Sequence, residues 1–250
     1  MIHIERTPPP PELTQEVVAQ KIAEFKSTKN SVWNEPYIKD ALAGMSHNKC
    51  CYCECDISVE SKYLEVEHFH PKGKYPDEVV SWENLLPACK RCNGHKREWD
   101  TGRTPIINPT EDCPQDHMLL FRCLRFRSKD QLGKMTIDVL DLNNQDRMVS
   151  PRFEISNAQT KKMEEFEEIA QELDTQDSPD VHLSRKLSNG MLELLQNCLP
   201  DKAYSAVKTT TVLSDKCYGK IKATMVKLGL WTEEHVSMEQ KMMQCKYDVA

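Results

Sequence analysis

The stretch 81-SWENLLPACKRCNGHK-96 carries a short apolar run, Leu85 to Ala88, into a pair of cysteines two residues apart, Cys89 and Cys92, with Asn93 directly after. A second pair of the same spacing, Cys50 and Cys53, stands upstream in 49-KCCYCEC-55. Two residues between cysteines let both thiolates turn toward one tetrahedral ion while backbone amides stabilise the sulfur charge, the geometry of structural zinc. Two pairs complete a four-sulfur shell, so Cys50, Cys53, Cys89 and Cys92 are the expected Zn2+ ligands. The competing reading, four small core residues that fall near one another by chance, is much weaker, because paired knuckles are among the most specific short patterns. Cys51 and Cys55 crowd the first knuckle and could substitute as ligands; they are taken as packing residues. Cys113, Cys123, Cys198, Cys217 and Cys245 are scattered and read as structural.

Ordinary zinc ribbons separate their pairs by about 15 to 20 residues, whereas residues 54–88, 35 in all, lie between Cys53 and Cys89. That loop carries chemistry. In 63-YLEVEHFHPKGKY-75 it sets Glu67 beside His68, and it reaches Asn84 just before the apolar run. A zinc clamp that ties a β-hairpin to the start of a helix would bring Glu67, His68 and Asn93 to a common point. The density of Cys, His, Lys, Pro and Asn from Lys49 to about Arg103 marks a small metal-built module.

Around that module the 250 residues are long enough for two modest domains. The formal net charge of -6 rules out a chain that binds nucleic acid by its overall charge, so any such role must be local or shared with a partner. No apolar run approaches the roughly 20 residues that span a bilayer, and 1-MIHIERTPPPPEL-13 lacks a secretory pattern. The expectation is a cytoplasmic protein whose eleven cysteines are mostly thiols.

Leu13, Val17, Val18, Ile22 and Phe25 recur at helical spacing, and a short amphipathic piece follows at 33-WNEPYIKDALAGM-45. Residues 122–140 could make a hairpin around Asp130 to Gly133. Beyond Pro151 the helical pattern returns, with Ala158, Met163, Phe166, Ile169, Ala170 and Leu173 on one face. The expected fold is α+β and mainly helical: N-terminal arm and helices over 1–45, the zinc-stabilised module over 46–117, a hairpin and connection over 118–150, and a helical region over 151–250.

The order K-C-C-Y-C-E, E-V-E-H-F-H-P-K, W-E-N-L-L-P-A-C-K-R-C-N-G-H-K resembles the HNH endonuclease family, whose fold is a two-stranded hairpin and a helix wrapped around a catalytic metal. The E-H-F version, the following P-K, the N-L-L-P-A-C run and 107-INPTEDCPQDH-117 resemble more narrowly the nuclease subunits of Septu anti-phage defence systems, some of them retron-associated. The resemblance spans about Lys49 to His117. It implies a bacterial nuclease that partners an ABC- or SMC-type, PtuA-like ATPase and cuts nucleic acid, with DNA and tRNA as the candidate substrates.

By that resemblance His68 is the general base that takes a proton from water, a task that suits a neutral imidazole. Glu67 stands at the acidic metal-holding position and Asn93 at the second ligand position. A carboxylate with an amide oxygen suits Mg2+ or Mn2+ better than zinc. Asn84 matches the residue that pins the loop between the strands. Lys96 matches a basic position and, with Lys72 and Arg97, is a candidate phosphate contact; for Arg97 and His95 a solvated helix face is the plainer reading. His70 points with His68 only if the strand stays regular. Trp82 and Trp99 are expected to cover the small core.

Arg122, Arg125, Arg127 and Lys129 could present charge to nucleic acid from alternate strand positions, or simply form an exposed face. The acidic run 163-MEEFEEIAQELDTQDSPD-180 is a poor phosphate contact, and no G-x-x-x-x-G-K-[ST] occurs, so ATP hydrolysis belongs to another chain. The rival reading is a catalytically inactive zinc-built adaptor or nucleic-acid-binding module. An adaptor needs the four cysteines but has no need of Glu67, His68 and Asn93 in motif order.

Overall fold

The run Leu85–Cys89 is a strand, β2, buried at all five positions, and it pairs antiparallel with β1, Leu64–His68. In the register Glu67 lies opposite Leu86, His68 opposite Leu85 and Pro87 opposite Val66. A proline in mid-strand is tolerated because the sheet has only two strands, so Pro87 is needed in no further ladder. Its carbonyl oxygen instead accepts from the Cys51 N–H at 2.8 Å, tying the first knuckle to the hairpin. The computed structural model describes residues 1–59, 63–122 and 124–250, so Cys123 lies outside the described residues.

The chain divides into two compact units, Met1–Met118 with Arg127–Leu142, and Leu119–Phe126 with Asn143–Ala250. The fold is α+β and mainly helical. In the first unit, α1 (Gln15–Thr28) starts at the Thr14 cap and α2 (Pro36–Met45) starts with proline in its first turn. Helix α2 packs across β1 and β2 and contributes Ile38 and Leu42, both fully buried, to the same core as Leu85 and Leu86. The hairpin module alone has too few apolar residues to stay folded, and this helix supplies the missing face. Helix α3 (Lys90–Lys96) leaves β2 directly: Cys89 is its N-cap, with its sulfur accepting from the Cys92 N–H. Trp82 is buried, with its indole N–H donating to the Thr7 carbonyl oxygen at 2.6 Å, and half-buried Trp99 donates to that of Thr104.

A hairpin does follow, but its turn falls earlier than the sequence suggests. Strand β3 (Met118–Phe121) pairs with β4 (Arg125–Ser128), and Asp130 caps the nine-residue helix α5 (Gln131–Val139), which follows the four-residue turn α4 (Pro114–His117) in chain order. Asp-x-x-Gly fits either a turn or a cap. The Asp130 carboxylate accepting from the Gly133 N–H at 2.8 Å makes it a cap.

The second unit is mainly helical. Its helices are α6 (Ser150–Asp174), α7 (Val181–Gln196), α8 (Ser205–Ser214), α9 (Lys216–Lys227) and α10 (Glu233–Met243). Helix α6 packs against α7, α8 and α9, and its stripe of Met163, Phe166, Ile169, Ala170 and Leu173 meets Leu187, Met191, Ile221 and Met225. Cys198, Cys217 and Cys245 are buried here, whereas Cys113 in the first unit is exposed. Among the described residues no helix is long and apolar enough to cross a membrane.

Gly133 is packed so closely that an added Cβ would sit 2.0 Å from the His117 carbonyl oxygen. Gly133→Ala should therefore cost about 1–3 kcal/mol through forced backbone movement, read as an earlier urea midpoint. An unchanged midpoint would mean that this turn yields freely.

Candidate active site and metal centre

The Sγ atoms of Cys50, Cys53, Cys89 and Cys92 all lie within 4.8 Å of one another, and all four residues are buried. A tetrahedral zinc with Zn–S bonds of about 2.3 Å would separate its sulfurs by about 3.8 Å. The Cys53–Cys89 separation is 3.8 Å. Geometry and donor chemistry therefore both fit a structural zinc. Glu54 adopts the left-handed conformation (φ 61°) to close the first knuckle, and the Cys50 N–H donates to the Cys55 carbonyl oxygen at 2.9 Å. Cys51 and Cys55 are buried beside the four and outside the set.

Ahead of this clamp the end of β1 and the first turns of α3 border a cleft of about 100 Å³, lined by Glu67, His68, Asn93, Lys72, Arg97, Glu98, Trp33, Val66 and Pro71. That volume holds several waters. His68 Nε2 lies 2.9 Å from the Val79 carbonyl oxygen. A carbonyl only accepts, so Nε2 carries the proton and Nδ1 keeps its lone pair. Burial pulls the imidazole down to about 4, against the opposing pull of that carbonyl, so the ring is neutral near pH 7.

Glu67 is 1% exposed. Burial pushes its carboxyl up to about 7 although Lys96 opposes the shift. Lys96 Nζ stands 2.6 Å from Glu67 Oε1 and donates to the His68 carbonyl oxygen at 2.7 Å, and the Tyr52 hydroxyl lies 3.5 Å from the same Oε1. Lys96 is itself 2% exposed and lines no part of the cleft. This corrects the reading of Lys96 as a phosphate contact: from the fourth position after Cys92 on α3 it points under the hairpin, where the buried carboxylate claims its charge. Lys72 and Arg97, by contrast, are at the mouth.

Asn93 donates through Nδ2 to Glu65 Oε2 at 2.8 Å, which leaves its amide oxygen unspent. A hard carboxylate and an amide oxygen bordering one cleft fit a Mg2+ or Mn2+ ion. Asn84 sits behind the cleft, not in it. Its Oδ1 accepts from the His70 N–H at 2.6 Å, and its Nδ2 donates to the carbonyl oxygens of His70 and Glu78 at 3.1 and 3.2 Å. One side chain thus closes residues 70–84 into a fixed loop, the loop that presents the Val79 carbonyl to His68.

His70 does not join His68. Strand β1 ends at His68, so the alternation lapses; His70 Nδ1 lies 2.7 Å from Glu78 Oε2 and its ring rests on Tyr75 at 4.9 Å. Sequence reasoning missed Glu65, which two-residue strand periodicity with Glu67 could have flagged. It also missed Tyr52, inside the first knuckle, and Trp33, for which no local signal exists.

Residues 50–98 match the HNH endonuclease family. Those residues contain all four cysteines together with Glu67, His68, Asn84 and Asn93. Over most of its length the chain is similar to the Septu protein PtuB of Bacillus thuringiensis, 43% identical over 236 residues that cover 94% of this chain and 91% of that protein. It is also 31% identical to the Septu protein PtuB of Bacillus mycoides (strain KBAB4), over 51% of this chain and 55% of that protein.

Two outcomes follow from the clamp and the buried ion pair. Cys89→Ser, or removal of metal by a chelator, should unfold the first unit, since structural zinc contributes on the order of 10 kcal/mol of folding free energy; a Cys89→Ser protein with normal zinc content and melting would remove Cys89 from the ligand set. Lys96→Met should destabilise by about 3–5 kcal/mol, because it strands a buried carboxylate, and calorimetry showing no loss would mean that Glu67 is held by other groups.

Proposed function

Because the chain belongs to the Septu protein PtuB family and carries an HNH endonuclease domain, we propose that it is a metal-dependent endonuclease whose general base is His68. It acts in the bacterial cytoplasm as the nuclease subunit of an anti-phage defence complex with a PtuA-like, ABC- or SMC-type ATPase. The observation that carries the reading is the single cleft bordered by Glu67, His68 and Asn93, with the His68 Nε2 committed to the Val79 carbonyl and Nδ1 left over.

His68 Nδ1 takes a proton from a water as that water's oxygen attacks phosphorus. The new P–O bond forms in line with the P–O3′ bond that breaks, the leaving 3′ oxygen takes a proton from solvent water, and the products are a 5′-phosphate and a 3′-hydroxyl end. The neutral imidazole is the right form to accept that proton near pH 7. A Mg2+ or Mn2+ ion held by Glu67 and Asn93 would polarise the scissile phosphate and stabilise charge on the leaving 3′ oxygen. Lys96 holds Glu67 from within the protein, and Glu65 turns Asn93. Lys72 and Arg97 meet the phosphates on either side. Nothing in this chemistry uses a 2′-hydroxyl, so DNA and RNA, tRNA included, are both admissible substrates.

Purified protein, alone and with its ATPase, incubated with plasmid DNA and with bulk tRNA in magnesium or manganese, tests this directly. His68→Ala should lower cleavage by about 100- to 10,000-fold with zinc content and melting temperature unchanged. Full activity in that variant would sink the mechanism, and the substrate that wild type cuts identifies the class.

A further inference from the structure

The nuclease motif covers residues 50–98, yet one wall of its cleft comes from outside it. The Trp33 indole, in the connection between α1 and α2, meets the His68 imidazole at 4.6 Å between ring centres with the planes 86° apart. Trp33 is held from behind. Phe25 of α1, which is 5% exposed, packs edge-on against it at 5.8 Å and 68°. Val32 beside it in the chain is buried, and the Lys21–Glu35 ion pair at 2.6 Å ties α1 to the N-cap residue of α2. On the cleft side the Lys72 ammonium lies 5.4 Å from the centre of the indole.

We propose that Trp33 is a positioning residue for His68, so that the helical N-terminal segment completes the active site of the motif. The inference rests on the reading of His68 as the base. One hydrogen bond, from Nε2 to the Val79 carbonyl, fixes where that nitrogen points but lets the imidazole swing about it. A perpendicular indole at van der Waals distance removes the swing, since tilting the ring in either direction loses the edge-to-face contact or drives the two rings together. The hydrogen bond sets which nitrogen is free, and the indole sets where it faces. A stacking platform for a nucleobase is the less supported role, because the wall is already in contact with His68 and Lys72.

The test compares Trp33→Leu, Trp33→Phe and His68→Ala in the full-length protein, under the conditions in which wild type cleaves. Trp33→Leu should lower kcat by roughly 10- to 100-fold, the scale of loss when a reacting group is misplaced by about 1 Å, with KM little changed, while Trp33→Phe restores most of the rate because it keeps an aromatic edge. A Trp33→Leu enzyme with wild-type kcat, or one in which KM rises alone, overturns the proposal. Activity in His68→Ala would instead overturn the reading of the base, so the two failures are distinguishable. If Trp33→Leu does not fold, Trp33→Met takes its place. An independent readout needs no cleavage: in protein labelled with 13C and 15N histidine, every variant should keep His68 as the Nε2–H tautomer that the Val79 carbonyl sets, while the ring resonances are those of one fixed orientation in wild type and Trp33→Phe and shift and broaden in Trp33→Leu. A Trp33→Leu spectrum identical to wild type counts against the role as surely as an unchanged kcat.

Discussion

Four sulfurs drawn to within 4.8 Å of one another, two from a loop and two from the start of a helix, are the constraint on which the first unit depends. Cys50 and Cys53 end the connection from α2, and Cys89 and Cys92 join β2 to α3. Closing them around one ion would fix the hairpin, the helix and the knuckle to a common origin. The backbone repeats the statement locally: Cys51 donates to the carbonyl of Pro87 in mid-strand, and the Cys89 sulfur caps α3. A module of this size has little core of its own, so a metal held by these four sulfurs would supply cohesion that apolar burial cannot.

With the frame fixed, the electrostatics of the cleft follow from which charges are inside. Glu67 is nearly without solvent, and its carboxylate would be costly there without the Lys96 ammonium at 2.6 Å. Because Lys96 approaches from the protein side, the pair leaves the cleft side of Glu67 open. The same ammonium bonds the His68 carbonyl oxygen, so one buried charge orients both members of the Glu67–His68 step in β1. The opposite end of the imidazole is governed by Val79, whose place depends on Asn84 bracing residues 70–84 through three hydrogen bonds. Each proposed participant is therefore held by a neighbour that does no chemistry.

The N-terminal helices are part of this arrangement and not an appendage to it. Helix α2 lays Ile38 and Leu42 against the hairpin, and the connection before it carries Trp33 to the face of His68. A motif that is contiguous over residues 50–98 is thus finished by residues well before it.

The sequence by itself determined what short-range spacing can encode. Two C-x-x-C pairs specify a four-sulfur cluster, because two intervening residues hold both thiolates on one side of a turn. The apolar run before Cys89 marks a buried stretch, and the helically spaced stripe after Pro151 specifies a packed helical region. What the spacing does not encode is direction after an element ends, or contact between distant segments. His70 is lost from the cleft because β1 stops at His68. Lys96 turns inward because a buried carboxylate outcompetes solvent for its charge. Asp130 caps a helix where a hairpin turn was equally legible, since an Asp and a Gly three apart serve either geometry until a hydrogen bond chooses. The place of Glu65 was open to a local reading, two residues before Glu67 on one strand. Only the tertiary structure decided that Tyr52 and Trp33 belong to the site, because their roles are set by packing across the chain and no local pattern of side chains carries that information.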